Sequence, residues 1–446
     1  MKFFYLKTLM IGGSISMAGV VYAASPNSLT LQQAIDYALE NNPELSIMQA
    51  RIEQAENQLG VALSTYYPQV KVGMTYQHSN NPAEAFAMIL AQRRLDFSPS
   101  TNFNNPGYVD NYRPQVTASY SLYRGGQDYH LSEAAKLGVE TSELDKASVR
   151  NRLLNNITAT YYGQLAAIDA HHVSQHSIDA VQSELQQSQR RYASGTLLKS
   201  DVLSLEVQLA EAKEAELQAA NAVELANTML KTLLGISANE PLMIQESLAQ
   251  LVPKKPAKFD DLLKQALADH PELKAAAKRV AMAEQQLAAA KGAYLPRADA
   301  YVSYGSNSRN FEFNTNRDNV SVGVQVEVDV FNGFATQEKV HKAENELKAA
   351  QQAAQQSTLR IENELKTAQL KLQEALNRAE VAGTAVIAAE EALRLVNEQR
   401  EAGVVTVTRY IEAEVARDRA RTRQISARFD ALRAEAELKQ ATGFWQ

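Results

Sequence analysis

The sequence predicts a mixed α and β membrane protein, built by an internal duplication, with a transmembrane β-barrel that is shared between copies and continues into a barrel of long coiled-coil helices. Three observations predict this fold. The two halves of the chain match segment by segment, each half has a long proline-free stretch, and four segments alternate between apolar and polar residues. Each chain would supply four strands to the barrel.

The first residues predict export from the cytoplasm. Lys2 and Lys7 precede an apolar run over residues 9–21, and Val21 and Ala23 are small residues at the positions that a signal peptidase reads. We therefore expect a signal peptide at 1–23, cleaved after Ala23. No later segment supplies the roughly 20 consecutive apolar residues of a membrane-spanning helix, so a membrane form would have to be a β-barrel.

Charge and cysteine content exclude several classes of function. The sequence has a net charge of −6, and loss of two lysines with the signal peptide gives −6 − 2 = −8, with no basic patch that would bind nucleic acid. The chain has no cysteine, which excludes disulfides, thiolate metal sites, a cysteine nucleophile and a lipid anchor on an N-terminal cysteine. We expect no cofactor.

The duplication is visible as constant spacing between equivalent residues. Pro43 matches Pro271 at an offset of 228, whereas Gly195 matches Gly403 at an offset of 208. The offset changes in one place, between Pro68 and Gly125, so the first half carries 228 − 208 = 20 additional residues there. A length difference confined to one place indicates a surface loop. We assign 24–235 to the first repeat, 236–257 to a linker and 258–446 to the second repeat.

Each half contains a long helical hairpin that turns at a glycine, Gly195 or Gly403. A helix between Gly125 and Gly195 would be about 105 Å long at 1.5 Å per residue. After the first turn, apolar residues follow alternating steps of three and four, broken only at Glu216, which is the seam of a coiled coil: Val202, Leu205, Leu209, Ala212, Ala219, Val223, Ala226, Leu230 and Leu233. The second return helix has the same seam in smaller residues: Ala413, Ala420, Ala427, Ala431, Ala434, Leu438 and Ala441.

The strand hairpins, at about 68–123 and 296–331, alternate apolar and polar residues. Val320, Val322, Val324, Val326, Val328 and Val330 share one face, and Ser321, Gly323, Gln325, Glu327 and Asp329 share the other. One apolar and one polar face are what a barrel with a lipid-facing outside and a wet lumen requires. The alternative is an antiparallel sheet that lies on a soluble core.

Four strands cannot enclose an interior, because about eight are needed. Unpaired strand edges in lipid would cost several kcal/mol per backbone group. The barrel must then be shared between copies of the chain. Two copies would give eight strands, three would give twelve and four would give sixteen.

The chain resembles the TolC-like outer-membrane factor family over residues 29–444, most specifically in the turn segments 192–203 and 400–411 and in the strand-to-helix junctions 122–126 and 330–334. The resemblance implies a homotrimer with a 12-stranded barrel in outer-membrane lipid and a 12-helix tube across the periplasm of a Gram-negative bacterium. It also implies partners, namely a periplasmic adaptor and an inner-membrane pump. The implied function is the exit duct of a tripartite efflux or type I secretion system.

The resemblance also points to residues of the periplasmic mouth, which the family closes with side chains near the second turn glycine. Near the second turn glycine these positions are Arg400, Arg409 and Glu412, and the resemblance adds Asp201, six residues after the first turn glycine. Arg400 stands where the family has a tyrosine and Arg409 where it has an acidic ring, so we expect a gate based on charge with different bonds. An ion pair between Asp201 and Arg400 of neighbouring hairpins is one expectation. The alternative is that these are ordinary charges at a helix end.

The hairpin turns predict a docking surface for the adaptor. Gly195 and Gly403 end the long helices, and glycine readily takes the left-handed conformation that such ends require. Next to them stand Leu197, Leu198, Val404 and Val405. Exposed apolar groups at the end of a tube suggest a partner surface.

Other readings of the sequence remain open. A periplasmic adaptor would also be secreted and rich in coiled coil, but it would have one helical hairpin instead of two. An enzyme is disfavoured because no catalytic constellation is visible. His172 and His176 have the spacing of a metal-binding pair, but no third ligand accompanies them and a solvated helix face is the better interpretation. The amphipathic segment 83–94 is interpreted as loop packing in preference to a plug.

Overall fold

The computed structural model describes residues 28–98, 102, 104–245, 251–312 and 315–443. The predicted signal peptide at 1–23 lies outside these residues. The described part of the first half contains three strands and five helices in the order β1 (Ser28–Leu29), α1 (Leu31–Asn41), α2 (Pro43–Leu63), β2 (Gln69–Ser79), α3 (Pro82–Ala91), β3 (Val109–Arg124), α4 (Gln127–Ala193) and α5 (Lys199–Leu234).

The second half repeats this order without a counterpart of α3. Its elements are β4 (Met243–Ile244), α6 (Phe259–Asp269), α7 (Pro271–Gly292), β5 (Arg297–Ser306), β6 (Asp318–Glu327), α8 (Ala335–Glu401) and α9 (Val407–Ala441). Helices α4 and α8 each have 67 residues, about 100 Å of helix. None of the described helices has the length and apolar character needed to cross a bilayer.

The short helices begin in equivalent ways in the two halves. Asn42 caps α2 by accepting a hydrogen bond from the Glu44 N–H at 2.7 Å, and proline follows as the first helical residue. In the second half His270 takes the same role, and its Nδ1 accepts from the Glu272 N–H at 3.2 Å. Burial lowers the pKa of His270, which keeps the imidazole neutral and able to accept this bond.

The four long strands form one antiparallel sheet in the order β2-β3-β5-β6. The central pairing of β3 with β5 joins the two halves, with Ala118 opposite Val302. Even-numbered valines lie on one face and are exposed, Val72 at 81% and Val322 at 74%. Polar residues of the other face, such as Gln325, are exposed as well. Because α3 packs on the sheet at one end and the apolar face is exposed, the alternative of a sheet lying on a soluble core is not supported.

The helices interlock the two halves around α4. Helix α4 packs against α2 and α5 of its own half and against α7 and α9 of the other half. In the first core, Leu153, Ile157 and Tyr161 of α4 pack with Leu432 of α9. The second core lies between α8 and α9, where the alanine seam of α9 packs on Leu365 and Leu372, with Ala431, Ala434, Leu438 and Ala441. Small residues on α9 allow this close approach of helices.

Candidate functional site: the hairpin tips and the charged cluster beside them

Each long helix ends in the same hydrogen-bonded turn. We call residues 194–198 the first tip and 402–406 the second tip. Gly195 has φ +76° and Gly403 has φ +73°. The N–H groups of Gly195 and Gly403 donate to the carbonyls of Tyr192 and Arg400, both at 2.9 Å. The left-handed glycines therefore satisfy the last carbonyls of α4 and α8 and reverse the chain.

The apolar residues of the tips differ in their exposure. Leu198 is 70% exposed and Val404 is 74% exposed. Leu197 and Val405 are half-buried, and Leu197 packs against the apolar cluster of the first hairpin. The tips thus present two strongly exposed apolar side chains, where the sequence predicts four.

An apolar cluster just behind the tips joins the two hairpins. It contains Val181, Leu185, Val202 and Leu205 of the first hairpin, and Val407 of the second hairpin is buried in it. Since Val407 is the first residue of α9, its burial holds the start of that helix against α4 and α5.

Arg400 forms a buried ion pair that also joins the hairpins. Its guanidinium donates to the carboxylate of Glu184 on α4, and the two side chains are only 7% and 5% exposed. Arg400 Nη2 also donates to Asn397 Oδ1 at 3.0 Å, and Ser188 Oγ donates to Glu184 Oε1 at 3.2 Å. A buried charge pair with these additional bonds links the end of α8 to α4.

The ion pair continues into a second cluster on α9 through Tyr410. The Arg400 guanidinium carbon lies 4.7 Å from the centre of the Tyr410 ring, within the range of a cation–π contact. Tyr410 in turn has a hydrogen bond with the Glu414 carboxyl group. Burial raises the pKa of Tyr410, so the phenol stays protonated and can donate this bond.

Glu414 is the most buried carboxyl group of the cluster, at 3% exposure. It accepts from the guanidinium of Arg417, which also donates to Asp418 Oδ1 at 2.6 Å. Burial raises the pKa of Glu414, and the charge of Asp418 acts in the same direction against that of Arg417. Burial opposes the charge of Arg417, but Asp418 and Glu414 together raise its pKa. Because Arg417 is shared between two carboxylates, it does not compensate the burial of Glu414 fully.

The structure separates the four residues predicted for the mouth. Arg400 is buried with Glu184, so the expected pair with Asp201 does not form within the chain. Asp201 is half-buried in the first turn of α5, and no ion pair of its carboxylate occurs among the described residues. Arg409 Nη1 bonds Glu412 Oε2 at 3.0 Å, one turn along α9, and both side chains are more than half exposed. The long Arg400 side chain reaches α4 because α4 lies beside α9, to which α8 is paired.

Sequence reasoning missed Glu184, Tyr410, Glu414 and Arg417. Glu184 gives a signal in retrospect, because it stands directly before Leu185 in a series of residues that pack inward from α4. A carboxylate in an apolar series requires a buried partner. That partner could not be found from spacing, because Arg400 is 216 positions away.

The histidines of α4 do not converge on a common point. His171 Nε2 lies 2.8 Å from Glu216 Oε1 of α5, and the rings of His171 and His172 are stacked. Among the described residues, no group of three or more side chains of ligand type is arranged to hold a metal ion.

Two long helical hairpins that extend from one four-stranded sheet define a subunit of an outer-membrane channel that reaches into the periplasm. The family model described as "Outer membrane efflux protein" matches residues 34–236 and 262–444, one stretch in each repeat. The chain belongs to the outer membrane efflux protein family.

Individual relatives and structures agree with this assignment. The chain is 26% identical to the protein CyaE of Bordetella pertussis over 340 residues, which cover 75% of this chain and 67% of CyaE. It is 21% identical to the outer membrane protein TolC of Escherichia coli over 451 residues, covering 98% of this chain and 86% of TolC. The structure of the Campylobacter jejuni CmeC outer membrane channel superposes with a TM-score of 0.79 at 15% identity, covering 99% of this chain and 94% of CmeC.

Proposed function

We propose that three copies of the chain assemble into the exit duct of a tripartite efflux or type I secretion system, and that the chain has no enzymatic activity. The carrying observation is the four-stranded sheet, whose apolar face is exposed, whose polar face is covered by α3 at one end, and whose edges are β2 and β6. Each of these edge strands has one unpaired side in the chain. In lipid such edges need a partner strand, and β6 of one copy beside β2 of the next would supply it.

The helices support the same arrangement. The long helices lie in the order α5-α4-α9-α8, so α5 and α8 are the two edges of the row. Both edges carry exposed apolar side chains: Val207, Leu217, Leu225 and Met229 on α5, and Leu370, Val381 and Ile387 on α8. A contact between unlike edges closes into a ring of copies. Three copies, the number that the resemblance implies, would give twelve strands and a tube of twelve helices.

The tips are the proposed contact with a periplasmic adaptor, and through it with an inner-membrane pump. Gly195 and Gly403 place Leu198 and Val404 at the end of the tube, with Leu197 and Val405 half-buried behind them. Apolar side chains exposed at this end suggest a protein partner. Asp201, Arg400, Arg409 and Glu412 lie next to the same end and form the proposed gate.

The test is to purify the full-length protein from outer membranes and to measure both its mass in detergent by light scattering and its conductance in planar bilayers. We expect the mass of three chains and discrete channel openings. A monomer, or a trimer without conductance, would contradict the proposed function as an exit duct.

The same preparation tests the tips with a matched pair of variants. Leu198→Asp should leave channel formation unchanged and abolish export from cells. Ser200→Asp is the control, because Ser200 is exposed nearby and the substitution adds the same charge while it keeps Leu198. Normal export with Leu198→Asp would remove the first tip from the docking surface.

A further inference from the structure

The additional segment of the first repeat folds back over one face of the sheet. Helix α3 follows β2 directly and buries Ala85 and Met88 against Val109 at the start of β3. Val109 is an odd-numbered position of β3, on the same face as Gln115 and Ser119. This is the polar face of the sheet, the face that lines the duct in the proposed function.

Polar contacts fix the segment to the same face on three strands. Ser79 Oγ, at the end of β2, donates to Glu84 Oε2 of α3 at 2.6 Å. Gln92, at the end of α3, is 0% exposed, and its Nε2 donates to Asn111 Oδ1 of β3 at 3.0 Å. Asn111 Nδ2 then donates to Asn307 Oδ1, just beyond β5, at 3.0 Å. A fully buried amide with several partners holds this end of α3 in one position.

Arg93 extends the attachment to the fourth strand. Its Nη1 donates to the Asn316 carbonyl at 2.6 Å, and its Nη2 donates to the Asp318 carbonyl, at the start of β6, at 3.0 Å. Arg93 has φ +51°, a left-handed conformation that favours glycine. Because an arginine occupies a conformation suited to glycine, we infer that its guanidinium contacts stabilise that conformation. The segment therefore crosses from β2, at one edge of the sheet, to β6 at the other.

The position of α3 along the strands places it at the outer end. β3 runs from Val109 to Arg124 and then enters α4, and β6 likewise leads to α8. The long helices thus leave from the end of the sheet opposite to α3. The side of α3 turned away from the sheet carries Phe86 and Leu90, which are 37% and 52% exposed.

We propose that α3 is a cap in the external mouth of the duct, held across the polar face by Gln92 and Arg93, and that Phe86 and Leu90 of three copies narrow the opening and limit the size of the molecules that leave. This proposal depends on the proposed function as a duct, because a cap requires that the polar face line a water-filled passage. It adds a size filter at the end of the duct opposite to the proposed gate at the tips.

The test measures access from outside to a single thiol below the cap. The chain has no native cysteine, so Ser321→Cys on the polar face of β6 provides a unique reporter. Intact cells that produce the full-length protein are treated with N-ethylmaleimide or with a maleimide carried on a long polyethylene glycol. Asn310→Cys, exposed in the loop between β5 and β6, is the control for a thiol outside the cap.

Two kinds of variant open the cap by different means. Gln92→Ala with Arg93→Gly removes the attachment and keeps a residue suited to the left-handed turn. Phe86→Ser with Leu90→Ser keeps the attachment through Gln92 and Arg93 and removes the apolar bulk on the side of α3 that faces away from the sheet. We expect N-ethylmaleimide to label Ser321→Cys in the otherwise unchanged protein and the large reagent to label it slowly. Each opened variant should raise labelling by the large reagent about tenfold, as expected when a few hydrogen bonds or contacts are lost.

The outcomes separate the cap from the duct. If the large reagent labels Ser321→Cys as fast as Asn310→Cys in the otherwise unchanged protein, or if neither opened variant gains labelling, the cap is wrong and α3 is loop packing alone. If N-ethylmaleimide labels Ser321→Cys in none of the proteins while it labels Asn310→Cys, the polar face is not an open aqueous passage and the duct itself is wrong.

Discussion

Arg400 can be buried at the end of a 67-residue helix because a carboxylate, an amide and an aromatic ring surround its guanidinium. The family resemblance points to this residue, because it stands three positions before the second tip glycine, where the family has a tyrosine. Its partner Glu184 could not be identified, since nothing in the local sequence of α4 shows that α8 lies within reach. The charged residues that the family resemblance indicates, Arg409 and Glu412, form an exposed pair, and such pairs contribute only about 0.2–1 kcal/mol.

Glu414 should make stability near the tips depend on pH. Its folded-state pKa is raised, so the ionised carboxylate costs stability, and this cost develops as pH rises from the ordinary value of 4.5 through the raised value. Glu414→Gln removes the ionisation and keeps an oxygen that can accept from Arg417. We expect the variant to melt at a higher temperature than the parent at pH 8 and at nearly the same temperature at pH 4.

Thermal unfolding followed by circular dichroism across this pH range measures the difference. Glu412→Gln is the matched control, because Glu412 lies on the same helix and is exposed. A difference for Glu414→Gln that stays constant with pH, or that grows towards low pH, would contradict the assignment.

The long helices were predictable because their ends are encoded locally. α4 ends before Gly195 and α8 before Gly403, as the sequence predicts, and the equal lengths of the two helices follow from the duplication. The ends of the strands were less predictable. The valine alternation continues to Val330, but β6 ends at Glu327, because its partner β5 begins at Arg297 and offers no backbone beyond it. Alternation shows which side chains share a face, whereas the end of a strand is set by where its partner strand ends.

The sequence favours packing over a plug for the segment 83–94, but it does not show which part of the protein the segment packs against. Its helical pattern is encoded locally, with Asn81 as the cap and Pro82 as the first residue. Its position on the polar face depends on Asn111 and Asn307, whose side chains meet only after β3 and β5 have paired. Whether this packing also narrows the mouth is the question that the thiol experiment addresses.

The two faces of β6 should respond differently to the same charge. Val324→Arg places a guanidinium on the exposed apolar face, which would cost roughly 2–4 kcal/mol near the middle of the bilayer. Gln325→Arg places it on the polar face, where water can solvate it. We expect Val324→Arg to reduce the trimer recovered from outer membranes and Gln325→Arg to leave it near the unchanged level, measured by immunoblot of unheated samples. Equal loss in both variants would remove the barrel assignment.

At the scale of the molecule, the two repeats are joined at three levels. The strands β3 and β5 pair, the helix α4 packs against α7 and α9, and the hairpins meet at the tips through Val407 and the ion pair of Arg400 with Glu184. The first two levels involve extended pairing and large apolar surfaces. The third is small, which makes the tips the place where the repeats can separate at the lowest cost.

Separation of the tips should be controlled by the buried ion pair. Removing one partner leaves the other charge buried without compensation, at a cost of roughly 3–5 kcal/mol, whereas replacing both with apolar residues of similar volume is often neutral or stabilising. We therefore expect Arg400→Met and Glu184→Met each to raise the single-channel conductance in planar bilayers, and the double variant to return towards the unchanged value.

Arg394→Met is the control, since Arg394 lies on the same helix with exposed partners Glu391 and Glu398 and its replacement should not change conductance. A double variant that conducts as well as the single variants would mean that the charges themselves close the mouth. If neither single variant changes conductance, the closed tips are held by the packing of Val407 in its apolar cluster, and the ion pair serves only to position α8.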